Sequence, residues 1–169
     1  MRNRSVQNIA LGGLLAALSV VIFCLGGMIP VATYVCPTFC IMICQAVLRI
    51  CGKRLAWAWY AAVAILALLF SPDKEGAALF VFLGCYPMLK IWLDRTVPAV
   101  LWKLLYFNIT VALLYGSLIY LLGMNRLLEE YTELGIVGLV IMLILGNVVF
   151  FLLDFLLGRG LRRNAGKRG

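Results

Sequence analysis

The chain has 169 residues, of which 64% are hydrophobic and 13% charged, and its mean hydropathy is +1.04. Such a composition lies outside the range of soluble domains and marks an integral membrane protein. The net charge of +8 does not point to nucleic acid, because the basic residues flank apolar runs, and the lack of histidine excludes Ser/His or Cys/His catalysis and His-ligated metals.

Crossing about 30 Å of hydrocarbon takes roughly 17–25 helical residues. Six stretches meet that length, approximately 9–28, 31–50, 55–70, 76–93, 100–122 and 135–157. The third and fourth are not one helix, because 39 residues rising about 1.5 Å each would far overshoot the bilayer. Pro72 also disfavours helical geometry at Ser71. The expected fold is therefore all-α, a polytopic six-transmembrane-helix bundle over residues 1–158. The basic tail, residues 159–169, is expected to be disordered or to lie against anionic lipid. With both termini cytoplasmic, thirteen of the fifteen basic residues fall inside, and five of the seven acids fall outside. That asymmetry follows the positive-inside rule and places the protein in the cell membrane.

The first helix carries "IALGGLLAALSVV", in which Gly12 with Ala16, and Gly13 with Ala17, form two overlapping small-xxx-small pairs. Small residues admit another backbone closely, so this face either packs within the chain or docks a partner subunit. Along the second helix, Cys36, Cys40 and Cys44 recur every four residues. Three thiols spread over about 12 Å cannot hold one ion, so the stripe reads as packing, and Pro37 kinks or starts the helix.

Between the third and fourth spans lies "SPDKE". Ser71 reads as an N-cap, Pro72 as the first helical residue, and Asp73 with Glu75 as complements to the helix dipole. Lys74 is the residue this reading leaves unexplained. In the fourth span, "GCYPMLK" places Pro87 where it removes a backbone hydrogen bond, while Lys90 reads as a snorkelling anchor. The trios "WAWY" and "WKLLYF" read as interfacial aromatic belts.

Isolated polar groups inside spans are costly and are therefore candidates for function. Asn147, in the sixth span, either hydrogen-bonds a ligand or joins two helices; Asn108, in the fifth, is of the same kind. Asp154 is expected to pair with a basic residue near the inner surface. There is no Walker-type phosphate loop and no intramembrane acid pair, so an enzyme is not expected, and no cofactor or metal is implied.

In its architecture the chain resembles the substrate-capturing S components of energy-coupling factor (ECF) vitamin transporters. The resemblance rests on its length, six spans, inward termini and small-residue first helix "ALGGLLAALSVV". It implies a membrane-embedded binding subunit for a small vitamin-like or other polar metabolite. The first helix would dock through Ala10, Gly12, Gly13, Ala16 and Ala17 on an energising transmembrane subunit driven by an ATPase pair. In that family the substrate lies in the outer half under external loops, which here would bring together Tyr34, Asp73, Lys74 and Glu75, with Asn147 deeper. The alternative is a non-transport scaffold or assembly subunit of the cell envelope, which needs packing faces and no cavity.

Overall fold

The computed structural model describes residues 2–26, 32–94, 98–123 and 125–165, with side chains except at 2–5, 121–122, 125–134, 139 and 160–165. Every element among them is a helix: α1 (Arg2–Gly26), α2 (Ala32–Cys51), α3 (Lys53–Phe70), α4 (Lys74–Leu83), α5 (Tyr86–Leu93), α6 (Ala99–Leu122) and α7 (Asn125–Ala165). The described residues contain six stretches long and apolar enough to span a bilayer: Val6–Gly26, Ala32–Cys51, Lys53–Phe70, Lys74–Leu93, Ala99–Tyr120 and Gly135–Arg159. Each falls within a few residues of a span expected from the sequence. A multi-pass membrane protein in contact with lipid follows from this length and composition.

Two of the spans carry breaks with local causes. The fourth divides into α4 and α5 at Gly84–Cys85, directly after Leu83, whose carbonyl would have to accept from the N–H that Pro87 lacks. Several backbone groups at this break find partners inside the protein, which the bilayer favours. Gly84 N donates to Phe80 O at 2.7 Å, Cys85 Sγ to Phe82 O at 3.6 Å, and Met88 N and Leu89 N both to Cys85 O. The Tyr60 hydroxyl of α3 donates to Val81 O. In α7 the break is at Gly135, whose φ of 63° and ψ of 178° suit a residue without Cβ. It separates the helical acidic stretch from the last span, and α7 then continues past the expected span end to Ala165.

The helices form two compact units, Met1–Val97 and Pro98–Gly169. In the first, α2 packs against α1, α3, α4 and α5. Its buried stripe, Pro37, Cys40, Ile41, Cys44, Gln45, Val47 and Leu48, repeats at helical spacing. Lipid supplies no hydrophobic drive for helix association, so close approach matters, and the facing helices supply small residues for it. Ala56, Ala64 and Ala67 on α3 and Ala77 and Ala78 on α4 are all buried. Phe80 fills the space they leave, with its ring 5.4 Å from Phe23, 6.3 Å from Trp59 and 5.8 Å from Tyr60. Trp59 thus turns inward, while its neighbour in the expected aromatic belt, Trp57, stays half exposed.

The second unit is an antiparallel hairpin of α6 and α7. Phe107 stacks on Phe150 at 4.8 Å, and Lys103 pairs with Asp154 at 3.0 Å. Asp154 thereby finds the basic partner its sequence position calls for.

Candidate functional site

The SPDKE segment lies at one end of the first unit, and each of its polar side chains has a defined partner. Asp73, not Ser71, is the N-cap of α4. Its φ and ψ are −89° and 102°, and its Oδ1 accepts from Glu75 N at 3.1 Å and Gly76 N at 3.2 Å. A carboxylate can satisfy two orphan donors at once, where a hydroxyl offers less, and this moves the start of the helix two residues beyond the sequence reading. Pro72 consequently stands before the helix.

Ser71 is instead the C-cap of α3. It is buried, and its hydroxyl proton is shared between Asp73 O at 2.9 Å and Phe23 O at 3.3 Å, which ties α1 to the hairpin. Three carbonyls at the end of α3 also have partners. Ala67 O accepts from Ser71 N at 2.9 Å, Leu68 O from Lys74 Nζ at 2.7 Å, and Phe70 O from Cys24 Sγ at 3.9 Å. Lys74 is therefore explained: its ammonium meets the negative end of the α3 dipole.

Glu75 accepts a hydrogen bond from the Tyr34 hydroxyl at 3.1 Å, which joins the first turn of α4 to the first turn of α2. At the same place the two backbones approach closely. A Cβ on Gly76 would stand 3.0 Å from Thr33 O and 2.7 Å from Asp73 Oδ2. Tyr34, Asp73, Lys74 and Glu75 thus lie together at one end of the unit. Beneath them the interior is filled by Phe23, Ala77 and Phe80, each at most 2% exposed.

Asn147 belongs to the second unit, where it makes a reciprocal amide pair with Asn108. Asn108 Nδ2 donates to Asn147 Oδ1 at 3.2 Å, and Asn147 Nδ2 to Asn108 Oδ1 at 3.4 Å. Each amide nitrogen also donates to a carbonyl one turn back, Leu104 O and Leu143 O, both at 2.8 Å. All four amide protons have acceptors, so of the two sequence readings Asn147 follows the one that joins helices.

The small residues of α1 separate into two strips. Gly12 is buried, and a Cβ there would lie 3.5 Å from the Leu55 side chain of α3. Ala16, on the same strip, is half buried. Ala10, Gly13 and Ala17 are exposed, and among the described residues a Cβ on Gly13 would meet nothing within 4 Å. One strip has an occupant in this chain and the other has open space.

Cys40 and Cys44 are fully buried, and Cys36 packs against Gly26 so that a Cβ there would require the thiol to move. The cysteine stripe is a seam between α2 and its neighbours. Cys40 Sγ donates to Ser19 O at 3.8 Å, and Ser19 Oγ to Leu15 O at 2.9 Å. Lys90 departs from its sequence reading, because it does not snorkel outward. It is 3% exposed and pairs with Asp94 at 3.4 Å, one turn on along the same helical stretch.

Sequence reasoning missed Ser71 and Tyr60 as cross-helix donors; Ser71 stands at a chain break, where carbonyls need partners, whereas Tyr60 lies in the middle of α3 and nothing local marks its partner Val81 O. No protein-family model, no curated protein and no solved structure matches the chain.

Proposed function

We propose that the chain is a membrane-embedded substrate-binding subunit for uptake of a small polar metabolite, energised by partner ATPase subunits. It docks on the energising membrane subunit through Ala10, Gly13 and Ala17, and both of its termini face the cytoplasm. The observation that carries this reading is the division of α1: one small strip is used by Leu55, and the other is open over two helical turns. Open small-residue strips are the surface on which a second transmembrane backbone can approach.

On this reading the substrate engages the SPDKE end, facing outward. Entry exchanges the Tyr34–Glu75 hydrogen bond for a bond to the ligand, and the carboxylate of Glu75 and ammonium of Lys74 suit a zwitterionic or heteroaromatic compound. A thermal-shift screen of vitamin-like metabolites on the purified protein tests it. One compound should raise the melting transition, and Glu75→Gln and Lys74→Gln should weaken that effect. A screen in which no compound shifts the transition would count against substrate binding.

A second reading, a scaffold subunit of envelope machinery, draws on a specific observation. The interior below the charged hairpin is filled by Phe23 and Phe80, which is what a packing subunit needs. The two readings share the α1 docking face and differ in the partner.

A further inference from the structure

At the opposite end of the first unit from the charged hairpin, the start of α1 and the α2–α3 turn enclose an open groove of about 320 Å³, lined by Asn8, Ile9, Cys51, Arg54 and Leu55. Its wall is joined by Cys51 Sγ, which donates to Asn8 O at 3.4 Å. The turn is made at Gly52, whose φ of 85° places α3 so that Arg54 and Leu55 fall in its first turn. That N-cap contributes no side-chain bond to the first N–H groups of α3.

The groove is two-natured. Arg54 and Asn8 supply charge and amide donors, while Ile9 and Leu55 supply apolar wall. The groove lies at one end of two stretches long and apolar enough to span a bilayer, Val6–Gly26 and Lys53–Phe70. The ends of spans meet the headgroup region, which is where an amphipathic ligand beside Asn8 and Arg54 would lie. Its charge is uncompensated by the neighbouring sequence. Residues 1–72 contain no aspartate or glutamate, while Arg49, Lys53 and Arg54 cluster at the turn. Among the described residues Arg54 has no carboxylate partner.

We infer that this groove binds one anionic phospholipid, its phosphate held by Arg54 and Asn8 and its proximal acyl chain along Ile9 and Leu55. Basic recesses between transmembrane helices recognise such headgroups by charge and by their fixed depth in the bilayer. The site lies at the opposite end of the unit from the substrate site proposed above and adjoins the docking strip of α1, Ile9 standing one turn before Gly13.

The test is native mass spectrometry of the purified protein with added phosphatidylglycerol or phosphatidylcholine, each at the same concentration. The intact protein should retain phosphatidylglycerol in preference to phosphatidylcholine. Arg54→Gln, which removes the charge, and Ile9→Trp, which fills the groove from an exposed position, should each lower that retention about fivefold, whereas Arg159→Gln in the other unit should not. Equal retention of the two lipids, or retention unchanged in both Arg54→Gln and Ile9→Trp, overturns the inference. So does full displacement of the lipid by millimolar inorganic phosphate with Ile9→Trp without effect, which would mark a site for free anions only.

Discussion

The ammonium of Lys74 donates to the carbonyl of Leu68 at 2.7 Å, so the cation of the charged hairpin closes the C-terminal end of the helix before it. With Ser71 N on Ala67 O and Cys24 Sγ on Phe70 O, this turns a membrane-edge loop into a set of helix caps. Replacing Lys74 with Met keeps the stem and removes the donor. It should destabilise the protein by about 1 kcal/mol, measured by thermal unfolding in detergent. Lys74→Arg should recover most of that loss.

Asp73→Ala removes the acceptor of two backbone N–H groups and should cost about 1 kcal/mol, with Asp73→Asn close to neutral. Ser71→Ala should cost a similar amount through loss of the α1 tether. If Ser71 were the N-cap of α4, the mutation at 73 would be the milder of the two. The two unfolding curves decide the order.

The spans were legible because a bilayer imposes a length, and the break near Pro87 was legible because proline lacks a donor. The cap was misplaced because Ser71 and Asp73 are both good N-caps, and only the tertiary position of Phe23 O assigns Ser71 to another task. The partner of Lys74 could not be read at all, since it depends on how α3 ends in space. Asn108 and Asn147 stood out as polar residues within spans, but their pairing is a matter of hairpin register, which neither helix specifies alone. The α1 strips were visible as overlapping pairs, and Leu55 is what distinguishes them.

The Asn108–Asn147 pair should couple energetically. A double-mutant cycle with Asn108→Leu and Asn147→Leu is expected to give a coupling of about 0.6–1.7 kcal/mol, the range for interhelical hydrogen bonds in membranes. Each single variant should be less stable than the double, since it leaves one amide unpaired in an apolar setting. Purely additive losses would mean that the two amides act separately.

At the break in the fourth span, Gly84 is hemmed in by Phe80 and by the Tyr60 ring, whose Cε2 would stand 2.9 Å from a Cβ. Gly84→Ala should therefore destabilise by about 1–3 kcal/mol through overpacking. Tyr60→Phe, which keeps the ring and removes the donor to Val81 O, should cost about 1 kcal/mol. Thermal unfolding of both variants checks the ranking.

Whether the open strip of α1 docks an energising partner is decided by a paired substitution on adjacent residues. Purification from the native membrane in mild detergent, followed by mass spectrometry, would compare the unmodified chain with Gly13→Leu and Gly12→Leu. A membrane subunit and an ATPase pair should copurify with the unmodified chain and be lost with Gly13→Leu while its melting transition is unchanged. Gly12→Leu, which drives into Leu55, should instead lower the melting transition. Copurification unaffected by Gly13→Leu, or partners that belong to wall synthesis with no ATPase among them, would contradict that docking.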